Sequence, residues 1–195
     1  METHKNIKAI VAKTRSDWRK WLVKNHSKEK SVWLIIFHKG SGTRSVYYPE
    51  AVEEALCFGW IDSKPNKRDE KSYYLYFVPR KPKSIWSKIN KERVSKLVKA
   101  GLMTPAGQEM IDIAKGNGSW ESLNEIDELV IPEDFQIALA KNKKAHAYFN
   151  AFPPSSKKII LYWIRSAKRE ITRKKRIKEA IALAAKNIRA NTSTT

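Results

Sequence analysis

Apolar positions recur along the chain first at helical spacing, then as a solid block, then by twos. In residues 15–26 (RSDWRKWLVKNH), Trp18, Trp21 and Leu22 share one face at i, i+3 and i+4 behind Ser16 as N-cap, so the spacing predicts a helix. Residues 31–38 (SVWLIIFH) are apolar on both alternations, the pattern of a central strand buried on both faces. The turn Lys39-Gly40-Ser41-Gly42 separates this block from residues 44–48 (RSVYY), read as a second strand. Pro49 suits the first turn of a helix, Ala51, Val52, Ala55 and Leu56 form its apolar stripe, and Gly59 suits its stop. Residues 60–64 and 72–78 (SYYLYFV) read as two more strands around a very polar loop.

Beyond residue 84 the period turns helical. Ser84 or Ser87 caps a helix that runs to about Ala100 and stops at Gly101. Thr104-Pro105 opens another, with Ala106, Met110, Ile113 and Ala114 inward and Gly116-Asn117-Gly118 as its stop. Residues 120–131 read as an acidic loop. Pro132 then starts a short helix, residues 143–151 form another, and Pro153-Pro154-Ser155 recaps the chain. Residues 156–167 are amphipathic through Ile160, Trp163, Ile164 and Ala167. The last helix, 170–189, carries Ile177, Ile181, Ala184, Ala185 and Ile188 as its buried stripe. The expected architecture is α+β: a small antiparallel-sheet domain over 1–118, an acidic linker over 119–131, an all-helical module over 132–190, and a disordered tail over 191–195.

Composition narrows the function classes. A chain of 195 residues can bury a core without staples, and its single cysteine, Cys57, can form neither an intrachain disulfide nor a multi-Cys metal cluster. That usage fits a reducing compartment, and neither a secretory-type apolar core near the N-terminus nor a run of about 20 apolar residues is present. The expectation is a cytoplasmic protein with no membrane span. The net charge of +19 is uneven. Residues 1–103 hold 23 Lys+Arg against 10 Asp+Glu, residues 104–151 hold 4 against 8, and residues 152–195 hold 12 against 2. Such a field draws anions and polyanions, nucleic acid among them, and repels cationic peptides, but surface lysines also serve solubility.

Enzyme templates fail. H-E-x-x-H, G-x-S-x-G, the P-loop and G-x-G-x-x-G are all missing, and His4, His26, His38 and His146 lack metal-ligand spacing. No catalytic residue, metal or cofactor is therefore expected, and Cys57 reads as an inert core thiol. One polar set has the grammar of a small-ligand pocket: Trp60, Asp62, Arg68, Arg80, Ser84, Trp86, Ser87 and Asn90. Asp62 ends a short apolar strand, Arg80 follows an aromatic one, and Ser84, Ser87 and Asn90 sit at a helix N-terminus that favours anions. The alternative is a structural ion pair of Asp62 with Arg80 or Arg68 beside an ordinary cap. Residues 64–99 hold twelve Lys+Arg and three acids among Tyr73, Tyr74, Tyr76, Phe77 and Trp86, which suits single-stranded nucleic acid unless alternate aromatics form the sheet core. Arg173, Lys174, Lys175 and Arg176 crowd a helix start where cations oppose the macrodipole, so they pair internally or meet a polyanion.

The run Glu54-Ala55-Leu56-Cys57-Phe58-Gly59-Trp60-Ile61-Asp62 is specific. Together with Pro79-Arg80, Ser84, Trp86, Ser87, Asn90, Gly101-Leu102-Met103-Thr104-Pro105-Ala106-Gly107 and Trp163-Ile164, it resembles the YdeI/OmpD-associated, or bacteriocin-protection, family over nearly the whole chain. The resemblance implies a double-wing N-terminal fold similar to frataxin-like proteins and a helical C-terminal module. It also implies a link to resistance against bacteriocins and cationic antimicrobial peptides. The first reading is thus a non-catalytic binding or stress-protection protein taking a small anionic ligand or a polyanion. The second is a nucleic-acid-binding module, and the third an enzyme at the Asp62/Arg80 region.

Overall fold

The computed structural model describes residues 2–192, and the chain forms two compact units, Met1–Glu121 and Ser122–Thr195. The first opens with a hairpin that the apolar pattern did not predict: β1 (Thr3–His4) and β2 (Ile7–Val11), joined through Lys5 and Asn6, both at positive φ. Two such residues give the turn twist that antiparallel strands need. Helix α1 (Arg15–Asn25) starts at the expected residue, but its cap lies two positions earlier than expected. Its cap is Thr14, not Ser16, and the Asp17 carboxylate accepts in return from the Thr14 N–H at 3.1 Å, a capping box.

The apolar block forms β3 (Val32–Phe37), followed by α2 (Tyr48–Cys57), β4 (Trp60–Lys67) and β5 (Ser72–Pro79). The sheet order is β1-β2-β3-β5-β4. β2 and β3 pair in parallel, Ile10 opposite Leu34, so the sheet is mixed rather than the antiparallel one expected. The cause is the connection: α1 carries the chain back to the same end of the sheet before β3 begins. Residues 44–48 are a further correction. They form no strand; Val46 donates its N–H to Ala12 at 2.9 Å, the Ser45 hydroxyl accepts from the Phe37 N–H, and Tyr48 already belongs to α2.

Strand β3 is buried on both faces, as its unbroken apolar run requires. Val32, Leu34 and Ile36 join Trp18, Leu22, Val52, Leu56, Trp60, Leu75 and Phe77 in the main core. Trp33 and Ile35 join Ala9 and Tyr74 in a second cluster made of strand residues on the other face. Helices α3 (Lys88–Lys99) and α4 (Pro105–Gly116) complete the unit. Thr104 caps α4, but its inward face is Gly107, Ile111 and Ala114, one position along from the expected set. Gly107 explains the rotation, because it lets the helix start lie directly against the end of α2.

The second unit contains only helices among its described elements: α5 (Asn124–Asp127), α6 (Glu133–Ala140), α7 (Lys143–Ala151), α8 (Pro154–Arg165) and α9 (Glu170–Ala184). α5 lies in the stretch expected to be all loop. The core gathers Phe135, Leu139, Phe149, Ile160, Ile164, Ile177, Ala180 and Ala184. The last helix stops at Ala184, short of the expected 189. Asn187 takes φ 57° and leaves Ile188 50% exposed, so Ala180 replaces it in the buried stripe. In the tail, the Thr192 hydroxyl donates to Arg189 O at 2.9 Å, while residues 193–195 lie outside the described residues.

Candidate functional site

The turn from α2 into β4 sets the geometry of the region read as a pocket. Gly59 sits at φ +72°, where a Cβ would also meet Ala106 O and Met110 Cγ at 2.9 Å, so this position needs glycine twice over. The turn drives Trp60 into the core, where its Nε1–H donates to His26 O at 3.1 Å and its ring meets Trp21 edge-on. Trp60 is therefore enclosed rather than a wall open to a ligand. Two residues on, the Asp62 carboxylate accepts from the Tyr48 hydroxyl at 3.0 Å.

Tyr48 links Asp62 to the start of α3. The Arg93 guanidinium lies 6.0 Å from the Tyr48 ring centre and donates to Asn90 Oδ1 at 3.0 Å. The Asn90 N–H in turn donates to the Ser87 hydroxyl, which caps the helix. Arg80 stacks over Trp86, 3.6 Å from its ring centre, and its Nη2 donates to Ile85 O. Asp62, Arg80, Trp86, Ser87 and Asn90 thus share one neighbourhood. Ser84 lies in the adjoining turn, its N–H donating to Lys81 O. Arg68 is elsewhere: it grips Glu2 with two donors at 2.8 and 3.1 Å and also bonds Asp69 and Ser72.

Arg80 is 5% exposed, and its Nε and Nη1 are enclosed without a hydrogen-bond partner among the described residues. Burial pushes its pKa down to about 10, against a smaller lift from Asp62. An unmet buried donor costs about 1–3 kcal/mol, while the Ile85 bond and the Trp86 stack together return a similar sum. Arg80→Met is therefore expected to leave stability unchanged or raise it by about 2 kcal/mol in urea unfolding at pH 7. Because burial holds the folded value below that of the unfolded chain, the unfolded chain holds the extra proton in a window that opens at pH about 10. The penalty is full below that window and fades as pH rises through it, so the variant's advantage narrows there. A clear loss on substitution would mean that an enclosed water or ion satisfies both donors.

Beside this neighbourhood lies a cleft of about 470 Å³ that sequence reasoning missed. Tyr48, Tyr73, Leu75 and Pro65 form its walls, with His38 and Asn66 as further polar groups. The His38 ring faces that of Tyr73 at 5.5 Å. Burial raises the pKa of both phenols, with Asp62 adding to the rise at Tyr48. The rim charges are spent on one another: Lys67 pairs with Glu70 at 2.5 Å, and Asp69 accepts from the Lys71 N–H, the Ser72 hydroxyl and Arg68. The only signal for the cleft in the sequence is Pro65, which breaks the strand pattern where the β4–β5 register shifts between Asp62 and Pro65.

The basic quartet of α9 is largely engaged inside its own unit. Arg173 makes two parallel bonds to Asp134, at 2.6 and 2.7 Å, which hold that carboxyl below its usual range. Lys174 pairs with Glu170 at 2.6 Å, Arg176 donates to Trp163 O and the Ser166 hydroxyl, and Lys175 is exposed. The aromatics of 72–78 divide between the two sheet faces: Phe77 is buried in the main core, and Tyr76 lies 4.6 Å from Trp33 on the other side. Cys57 is buried, and burial together with Glu54 pushes its thiol pKa up. Among the described residues no group of three or more His, Cys, Asp or Glu could hold a metal, and no helix is long and apolar enough to cross a membrane.

Two family models match the chain. Residues 10–110 match the one described as Domain of unknown function (DUF8412), and residues 128–187 match Bacteriocin-protection, YdeI or OmpD-Associated. The run at 54–62 falls within the first match, so the bacteriocin-protection resemblance is found over the helical C-terminal stretch rather than nearly the whole chain. No curated protein and no solved structure matches.

Proposed function

Since the chain belongs to the DUF8412 family through residues 10–110 and resembles the bacteriocin-protection family over residues 128–187, we propose that it is a non-catalytic binding protein acting in stress protection. Its ligand is a small, flat, uncharged molecule held in the cleft between Tyr48 and Tyr73. The observation that carries this reading is the cleft's chemistry: aromatic walls, the polar side chains of His38 and Asn66, and rim charges already paired. A volume of about 470 Å³ lies in the range of small-molecule sites. The Tyr48 hydroxyl is committed as donor to Asp62, so it meets the ligand as an acceptor. The double-wing fold belongs to the same proposal for the first unit and has to accommodate its parallel strand pair. With a net charge of +19 the chain repels cationic peptides, so protection on this reading does not run through their direct capture.

The test uses indole and quinoline as probes, followed by amide chemical shifts. Shifts centred on His38, Tyr48 and Tyr73 are expected. His38 is exposed, so His38→Ala leaves the fold intact and should weaken binding about two- to tenfold by removing one ring. Probe binding that ignores this substitution, or shifts confined to other regions, would overturn the reading. So would retention of nucleic acid with a steep salt dependence, the mark of the polyanion alternative.

A further inference from the structure

We propose a second binding site, in the helical unit, for a single-chain anionic amphiphile: a medium-chain fatty carboxylate. A groove of about 540 Å³ runs between α6 and α9. Its floor is apolar, made by Ala138, Ile177 and Ile181. One end is electrically spent, because Asp134 is held by Arg173 and Glu170 by Lys174. The other end carries Lys141 and Lys178, both exposed and neither in an ion pair among the described residues. Apolar floor, neutral end and cationic end are the complement of a hydrocarbon tail with one anionic head.

Charge and size select this occupant. Residues 122–195 hold 15 Lys+Arg against 7 Asp+Glu, so a cationic partner is repelled. A bare anion would satisfy the two lysines yet leave the isoleucine floor wet. A protein partner needs about 20–30 residues on each side of a stable interface. The groove is lined by nine, and its volume falls among small-molecule sites. Along α9 the stretch from Arg173 to Ile181 covers about 12 Å at 1.5 Å per residue, which limits the tail it can cover. Lys178 and Lys141 would hold the carboxylate, and Ala138, Ile177 and Ile181 would cover the chain. The proposal stands apart from the cleft in the first unit.

Calorimetric titration of the full chain with hexanoate, octanoate and decanoate, each below its micellar concentration, tests it. Each buried methylene is expected to tighten binding by up to about fourfold, with the gain levelling off once the tail outruns the groove. The double variant Lys141→Gln, Lys178→Gln, on two exposed side chains, should weaken decanoate binding about tenfold, the equivalent of about 1.4 kcal/mol. Ala138→Phe, which fills the groove, should abolish the chain-length dependence. Should Ala138→Phe fail to fold, the lysine variant and the amide shifts of Ala138, Ile177 and Ile181 still decide. Binding that ignores chain length, survives the lysine changes, or is matched by decyltrimethylammonium overturns the site. So does an acidic helical peptide that binds the groove where decanoate does not. Indole binding at His38 should persist in every variant, which separates failure here from failure of the cleft.

Discussion

Gly107→Ala is expected to lower the stability of the first unit by about 2 kcal/mol or more, although alanine is the better helix former by about 1 kcal/mol. A Cβ at this position would overlap the Cys57 carbonyl, standing 2.7 Å from its carbon, and would come within 2.5 Å of Met103 Sδ. The methionine can swing aside. The carbonyl is backbone at the end of α2 and is held where it is by the cap of α4: Thr104 directs both its hydroxyl and its N–H to Cys57 O, at 2.6 and 3.2 Å. Relief therefore requires α4 to move off α2, which also disturbs the Ala106 and Met110 contact against Gly59. Urea unfolding followed by tryptophan fluorescence measures the change. A neutral or stabilising result would mean that α4 slides without cost and that its close seat on α2 is incidental.

The second large effect is expected at Glu54. Its side chain is 2% exposed, yet both oxygens are used: Arg15 Nε donates to one at 2.6 Å and Arg19 Nη1 to the other at 2.7 Å. Arg15 also reaches Glu53, and Arg19 reaches Leu102 O at 2.9 Å, so one carboxylate ties α1 to α2 and to the segment before α4. Stranding one partner of a buried pair costs about 3–5 kcal/mol, less when the stranded group can rehydrate. Arg15 and Arg19 are each about one-third exposed, so Glu54→Ala should cost about 2–3 kcal/mol. Replacing both arginines with alanine strands the carboxylate inside, and its cost should reach about 3–5 kcal/mol. That order, arginine pair above glutamate, is the measurement. If both changes fall below about 1 kcal/mol, the cluster behaves as an ordinary surface pair.

Glu54 opens the most specific run in the sequence and shows what that run is for. Glu54 clamps α1, Ala55 to Cys57 fill the core, Gly59 makes the left-handed turn, and Trp60 plugs the sheet. The run is legible as a motif, but its chemistry is architectural, and proximity in sequence drew Trp60 into the expected pocket. Elements with local signatures were legible as well: the unbroken apolar run of β3, the Ser87 and Thr104 caps, and the stop at Gly59. What escaped depends on distant partners. β2 gains its partner only when α1 returns the chain to Val32, and β1 is two residues long. The pairing of Arg68 was out of reach because its carboxylate, Glu2, lies at the other end of the unit's sequence. Residues 44–48 have strand composition, yet Pro49 and the Glu50 carboxylate, which accepts from the Tyr47 N–H, start a helix there instead.

The bulge in β4 has one more consequence. β4 is an edge of the sheet, and an edge offers unpaired backbone groups to any strand that drifts past. Here the register shift between Asp62 and Pro65 bends that edge, Pro65 has no N–H to offer, and the exposed Lys64 places charge on the approach. Straightening the strand would restore a regular row of donors and acceptors and give a second copy something to extend. The distortion that brings Pro65 and Asn66 to the cleft therefore also makes the outer edge of the sheet irregular, so the shape of the cleft and the poor pairing edge rest on the same few residues.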